Sequence, residues 1–319
     1  MLDRVVLRTE GLVKRYGPVL AVDGLSLAVC EGEVFGLLGP NGAGKTTTIK
    51  IICGLLRPDS GDVFLHNHSL RDSANAVLAR VGVCPQDIVL WNNLTCLEQL
   101  VFIGQMYGLS GRSARARGIH LLDDIGLGEK RDALAKTLSG GMQRRLNLIM
   151  ALVHDPDLLV LDEPEVGLDP QGRILVREYI RALARRKTIV LTTHDMDEAE
   201  RLADRVAIID RGRLLALDTP DALKRQAGEG DVLEIALVTE DPATLERQLP
   251  QAVAALRRLV SRVVSADHTL VLRSRHIVER LPAILATLDQ TGLRPGEIRL
   301  RATTLEDVFI ALTGRRLRE

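Results

Sequence analysis

Val34-Phe35-Gly36-Leu37-Leu38-Gly39-Pro40-Asn41-Gly42-Ala43-Gly44-Lys45-Thr46 decides the fold. Val34 to Leu38 is a continuous apolar run, which predicts a fully buried strand. Gly39 to Thr46 then fits G-x-x-x-x-G-K-[ST] at every position. Glycines in such a loop let backbone N–H groups curl around phosphate oxygens, at the positive end of the helix that follows. Thr46 to Leu55 reads as that helix. A glycine-rich turn before a helix can be only a turn, but strand, loop and helix in this order are the context a phosphate loop requires. In that reading Lys45 reaches the β- and γ-phosphates of a nucleotide and the Thr46 hydroxyl ligates Mg²⁺. Gly39, Pro40, Asn41, Gly42, Ala43, Gly44 and Thr47 complete the cradle.

Working outward, Leu158-Leu159-Val160-Leu161-Asp162-Glu163 is an apolar strand ending in two carboxylates. Such an end falls beside the phosphate loop at the carboxyl edge of a parallel sheet. Asp162 is placed to hold Mg²⁺, and Glu163 to polarise the attacking water as general base. Around these segments strands and helices alternate. Val5 to Arg8, Leu25 to Val29, Thr188 to Thr192 and Arg205 to Asp210 read as strands, and Gly172 to Arg185 and Met196 to Ala203 as helices. Residues 88 to about 150 are mostly helical by pattern, including Leu97 to Tyr107 and Ala114 to Ile125. The fold class is therefore α/β, a mainly parallel sheet with a helical insertion.

The pattern restarts after Gln226-Ala227-Gly228-Glu229-Gly230, which divides the chain into residues 1–225 and 226–319. Val232 to Val238 reads as a strand, Pro242 to Leu249 as a helix, and Arg262 to Arg273 as one or two strands. Ile277 to Leu288 as helix, Glu297 to Ala302 as strand and Leu305 to Leu312 as helix complete a small α+β accessory domain. In the last helix Leu305, Val308, Phe309 and Leu312 share one apolar face.

Composition narrows the class. Over 319 residues, 42 basic side chains balance 42 acidic ones, which argues against a nucleic-acid partner. Aromatics at 3% leave little for a base-stacking platform. The four cysteines have neither Cys-x-x-Cys nor zinc-ligand spacing and read as reduced thiols of a cytosolic protein. Met1-Leu2-Asp3-Arg4 lacks the start of a signal peptide. No apolar run approaches the roughly 18 residues of a membrane span, so work at a membrane needs partner subunits that supply the spanning helices.

With Leu138-Ser139-Gly140-Gly141-Met142 between the phosphate loop and the carboxylate pair, the first ~220 residues resemble the ATP-binding subunits of ATP-binding cassette (ABC) transporters. A P-loop ABC-type nucleotide-binding domain is the fold this implies. The resemblance extends residue by residue. Tyr16 matches the aromatic that stacks on adenine. Gln86, in Cys84-Pro85-Gln86-Asp87, matches the glutamine that contacts Mg²⁺ and senses the membrane partner. Ser139, Gly140 and Gly141 match signature residues that close on the γ-phosphate held by another subunit. Asp169, in Gly167-Leu168-Asp169-Pro170, matches the aspartate that links two active sites. His194 matches a switch histidine on the γ-phosphate. ATP and Mg²⁺ are the implied ligands, and a homodimer through the ATP sites the implied assembly. Two positions depart from the family: Met142 stands where glutamine is usual, with Gln143 following, and Glu165 stands where threonine or serine is usual. Glu165 either perturbs the site's charge or faces solvent.

The tail, Thr303-Thr304-Leu305-Glu306-Asp307-Val308-Phe309-Ile310-Ala311-Leu312-Thr313-Gly314, resembles that of daunorubicin-resistance-type exporter ATPases. That resemblance implies a separate ABC-2-type membrane permease, attachment at the cytoplasmic face of the membrane through it, and a drug-like cargo. Leu90 to Leu94 lies where the family receives the permease. Two alternatives share the core: a soluble ABC ATPase acting on ribosome or DNA, and an importer ATPase.

Overall fold

The computed structural model describes residues 4–184, 186–226, 231–238, 242–266, 268–274 and 276–314. Met1 to Asp3, Arg185 and the Ala227-to-Gly230 part of the expected linker lie outside the described residues. The chain forms two compact units, Met1–Thr219 and Pro220–Glu319.

The first unit opens with β1 (Val5–Tyr16) and β2 (Val19–Cys30), an antiparallel hairpin. It continues with β3 (Val34–Leu38), α1 (Lys45–Ile52), β4 (Ser60–Leu65), β5 (His68–Ser69), α2 (Leu70–Leu78) and β6 (Val81–Cys84). The helical insertion holds α3 (Cys96–Met106), α4 (Gly111–Asp124) and α5 (Gly140–Met150), with two short 3₁₀ turns before α5. Then come β7 (Leu158–Asp162), α6 (Pro170–Ala184), β8 (Thr188–Thr193), α7 (Met196–Leu202), β9 (Arg205–Asp210) and β10 (Arg213–Asp218). Six strands form the central sheet in the order β10-β9-β3-β8-β7-β6, parallel except for β10. A second, antiparallel sheet runs β2-β1-β4-β5.

Every residue of β3, β7 and β8 is buried, as strands covered on both faces require. Phe35, Leu37, Leu158, Val160 and Val190 join a core that also takes in Leu7, Leu12 and Val22 of the antiparallel sheet. Register carries the functional consequence. Leu38 pairs with Thr193 and Asp162 with Thr192, so the carboxyl ends of β3, β7 and β8 finish side by side.

Several elements exceed the expectation. The two expected N-terminal strands are the ends, remote from the turn, of longer ones joined through Gly17 at φ 55°. The hairpin to β10 was not expected. Arg211 and Gly212 turn it with φ of 48° and 79°, the paired positive values that suit a two-residue hairpin loop.

The second unit begins with α8 (Pro220–Gln226), six residues before the expected boundary. Pro220 is suited to the first turn of a helix, so the chain break comes before the glycine-rich stretch. It continues with β11 (Asp231–Val238), α9 (Pro242–Leu256), β12 (Arg262–Ala266), β13 (Thr269–Ser274), α10 (Ile277–Gln290), β14 (Arg294–Arg301) and α11 (Leu305–Thr313). Its sheet is wholly antiparallel, ordered β12-β13-β11-β14. Leu233, Ile235, Leu270 and Leu272 of the sheet pack with Leu256 of α9 and Ile284 and Leu288 of α10. In α11, Leu305, Val308 and Phe309 are buried as expected, but Leu312 is 47% exposed and Ile310 is buried in its stead. The buried face thus ends at Ile310, one turn short of the tail. Asp307 anchors the helix start, accepting from both terminal nitrogens of Arg301 at 2.6 and 2.9 Å.

Candidate nucleotide site

The phosphate loop is shaped by what a side chain would strike. A Cβ on Gly39 would lie 2.3 Å from the Ile209 carbonyl oxygen, and one on Gly44 equally close to that of Ala21. Gly44 also sits at φ 103°, where an L-residue is strained. Lys45 opens α1 and turns back over the loop, its Nζ donating to the Gly39 and Pro40 carbonyls at 2.7 and 3.1 Å. Lys45 is only 6% exposed, and burial lowers its pKa while Glu163 and Asp162 pull it back up. Thr46 is exposed in the first turn and Thr47 half-buried beside it.

Two strand ends supply the facing groups. Asp162 accepts a short hydrogen bond from Thr192 Oγ1. Glu163 leaves β7 in the left-handed region at φ 53°, a conformation that costs a non-glycine residue about 1–2 kcal/mol. Its N–H is held by the Thr192 carbonyl and hydroxyl at 3.1 and 3.2 Å. Its carboxylate meets His194, whose Nδ1 lies 2.8 Å from Oε1 and 2.6 Å from Oε2. A buried carboxylate, a strand-end glutamate and a histidine therefore converge beside the lysine.

The oxygen donors offered here suit Mg²⁺, which binds through one or two carboxylates plus substrate phosphates. Asp162 supplies a buried carboxylate, while the Thr46 hydroxyl and the exposed Gln86 side chain are neutral oxygen donors. Among the described residues no group of three or more His, Cys, Asp or Glu could hold a metal by itself. The donor set fits a cation brought in with a nucleotide.

The remaining expected residues make other contacts. Tyr16 ends β1 and is 49% exposed. Ser139 caps α5 by accepting from the Met142 N–H at 3.3 Å, and both Ser139 and Gly140 are exposed. Gly141 follows, half-buried. Asp169 caps α6 through the Gly172 N–H at 3.1 Å. Gln143 does not stand in for the missing signature glutamine, because its Nε2 turns back to the Ala135 carbonyl at 3.0 Å. Glu165 neither faces solvent nor adds a free charge: it is buried and accepts from Arg177 Nε and Nη2 at 3.0 and 2.7 Å.

Sequence reasoning missed Arg144. All its nitrogens donate to backbone carbonyls: Nε to Pro164, Nη1 to Pro85 and Gln86, Nη2 to Asp162 and Glu163. Helical phase carried the signal. Arg144 shares its face of α5 with Asn147 and Leu148, both buried, whereas Arg145 next to it is half-buried.

A phosphate loop at a parallel sheet occurs in many nucleotide-binding proteins. What restricts the class is the Ser-Gly-Gly helix start on an inserted helical region, tied by α5 to the strand that carries Glu163. That arrangement belongs to ATP-binding cassettes. The model of the ABC transporter family matches residues 22–166. A Nod factor export ATP-binding protein I from Ralstonia nicotianae is 43% identical over 98% of this chain and 95% of its own. A daunorubicin/doxorubicin resistance ATP-binding protein from Streptomyces peucetius is 42% identical over 97% and 92%. Among solved structures, an ATP-binding subunit of an ABC transporter superposes with TM-score 0.64 at 31% identity, over 69% of this chain and 92% of that one. A dimeric cassette in a post-hydrolysis state with ADP and Pi gives 0.62 at 25%, over 67% and 98%. The chain belongs to the ABC transporter family, in the group of exporter ATP-binding proteins that it matches end to end, and it is an ATPase. Among the described residues no helix is long and apolar enough to cross a membrane.

Proposed function

We propose that two copies of this chain bind two ATP molecules head to tail and drive a separate ABC-2-type membrane permease that exports a drug-like molecule. The observation that carries this is the Glu163–His194 pair beside Lys45, at the aligned ends of three parallel strands. Lys45 holds the β- and γ-phosphates, and the N–H groups of Gly39 to Thr47 complete their cradle. Tyr16, exposed at the end of β1, stacks on adenine. When bound, Mg²⁺ neutralises phosphate charge, held by Thr46, Asp162 and Gln86. Glu163 accepts the proton of the attacking water, and His194 steadies Glu163 and the γ-phosphate. Ser139, Gly140 and Gly141 of one copy cover the γ-phosphate held by the other, with Asp169 near the seam. The exposure of Ser139 and Gly140 supports that use across copies, as does the dimeric state of a solved relative.

The cargo class and the export direction rest on relatives whose names state Nod factor export and daunorubicin resistance. The permease is expected to dock at Leu90 to Leu94, a stretch that contains the exposed Trp91 and follows the exposed Val89. This docking places the chain at the cytoplasmic face of the membrane. The neutral charge balance leaves nucleic acid as the weaker reading. The accessory unit adds dimer contacts or regulation.

A mixing experiment tests the shared site. Lys45→Ala alone is expected to lose tight ATP binding. Mixed with Ser139→Ala subunits, it should form heterodimers that place both lesions in one composite site and leave the other intact. Recovery of ATP-dependent dimers on mixing, read by light scattering, is expected. Unchanged ATP affinity in Lys45→Ala, or no recovery on mixing, would overturn the composite site.

A further inference from the structure

Arg144 sits one turn into the signature helix α5 and is 3% exposed. A guanidinium has five N–H donors in a rigid plane and accepts nothing. Here it makes five hydrogen bonds of 2.6 to 3.3 Å, and every acceptor is a main-chain carbonyl. Two acceptors, Pro85 and Gln86, belong to the loop after β6 that carries the exposed Gln86 side chain. The other three, Asp162, Glu163 and Pro164, run through the end of β7. One side chain from the helical insertion therefore ties together two loops of the sheet that no sheet hydrogen bond joins at that point. Its neighbour on the same helix face adds to the tie: Asn147 accepts from the Val89 N–H and donates to Cys84 Sγ.

The shortest of these bonds falls where the backbone is strained. Glu163 is held at φ 53°, and its carbonyl accepts from Arg144 Nη2 at 2.6 Å. Its N–H is already held from β8, so Arg144 supplies the grip from the other side of the same peptide segment. A strained residue keeps such a conformation only when its surroundings over-determine it.

We propose that Arg144 is a positioning residue for hydrolysis, fixing the backbone of Glu163 and the Gln86 loop to the signature helix so that the base and the loop move with that helix. The proposal rests on Glu163 being the base. Arg144 itself touches no reacting atom. Its effect should appear in turnover and not in nucleotide binding, because the Lys45 cradle is built from α1 and the loop before it. A displacement of a base by about 1 Å is enough to cost on the order of 10²-fold in rate.

The test is steady-state ATPase kinetics on Arg144→Gln and Arg144→Lys in the full chain, alone and combined with Glu163→Gln. Lysine keeps the charge but offers three donors for five acceptors. The expected result is a kcat reduced about 10- to 100-fold with the KM for ATP within about threefold. With Glu163→Gln in place, adding Arg144→Gln should cost less than about threefold more, since a group that acts through Glu163 has nothing left to position. Folding is checked by circular dichroism and thermal unfolding, and if Arg144→Gln does not fold the lysine variant is read in its place. The proposal fails if folded variants turn over within twofold of wild type, if the loss lies in KM, or if it is undiminished without Glu163. It fails too if neither variant folds, since the cage would then be a folding element. Normal turnover by Glu163→Gln alone would instead remove the base assignment, a separate failure.

Discussion

Lys45, Asp162 and Glu163 are each at most 6% exposed, whereas Ser139 and Gly140 stand in solvent. In the proposed mechanism the two regions serve one reaction, but they are built differently. Beside the phosphate loop the three buried charged side chains are anchored by the fold: Lys45 on two carbonyls, Asp162 on Thr192, Glu163 on Thr192, His194 and Arg144. Burial demands this, because an unpaired polar group away from water is costly. At the signature tip Ser139 spends one acceptor site on the Met142 N–H and retains its donor. The pocket is preorganised, and the tip is left uncommitted, as the proposed closure on another copy's nucleotide requires. That contrast is the physical basis for placing Ser139 in the partner's site and not its own.

The sharpest way to break the contrast is Glu163→Gln. The amide keeps the shape and loses the base, so turnover should fall about 10²–10⁴-fold. ATP binding should survive, and dimers should accumulate in gel filtration with ATP present. Wild-type turnover would strip the pocket of its assigned chemistry. On the other side, Ser139→Ala removes the proposed γ-phosphate donor and a helix cap together. Turnover should fall about 10²–10³-fold, as for loss of one charge-stabilising donor. Stability should fall by only about 1 kcal/mol. ATP affinity of the isolated subunit should not change. If that affinity falls in step with turnover, the tip acts within its own subunit.

The pocket's surroundings give a third test. Arg177 and Glu165 form a bidentate pair with side-chain exposures of 18% and 7%. Breaking it with Arg177→Met strands a buried carboxylate and should destabilise the chain by about 3 kcal/mol in urea unfolding. Replacing Glu165 by threonine in the same chain should return much of that loss, because the stranded charge is gone. A single variant as stable as wild type would show that solvent already compensates the pair.

Legibility follows the same division. That Lys45, Asp162, Glu163 and His194 come together was legible, because a phosphate loop and a strand-end carboxylate pair have fixed residue types at fixed spacings beside a strand. The strands themselves were readable for the same reason, being short and buried on both faces. Arg144 and the Glu165–Arg177 pair were not, because their partners are main-chain carbonyls or a residue a dozen positions on, and neither leaves a mark in residue type. Glu165 shows the cost: taken alone it left open a charged site or a solvent-facing side chain, and only packing against α6 revealed the partner. Leu312 failed for a different reason. Helical phase assigns a face, but where the covering surface stops depends on the rest of the unit. The hairpin to β10 was written in Asp210-Arg211-Gly212-Arg213, yet its arginines obscured a turn that asparagine-glycine would have announced.

The gentlest test bears on how far the pocket's burial reaches. Glu198, in the first turn of α7, is 5% exposed. Its Oε2 accepts from Thr193 Oγ1 at 2.5 Å, next to His194, and its Oε1 is buried without a hydrogen-bond partner. Burial pushes its pKa up to about 8 from 4.5, with Glu165, Asp195 and Glu163 adding to the rise and the Thr193 hydroxyl opposing it. A folded-state pKa above the unfolded value means the native chain holds this proton more tightly. The stabilisation is therefore complete below the unfolded value and is lost as pH climbs through about 8. Within that window the slope is at most about 1.4 kcal/mol per pH unit. Glu198→Gln keeps the acceptor for Thr193 and cannot titrate, so its stability should fall less steeply than wild type over the same range. Urea midpoints for the two chains at several pH values measure this directly. Parallel curves would mean that Glu198 reaches water, and that the dry region ends at Thr193 and not behind it.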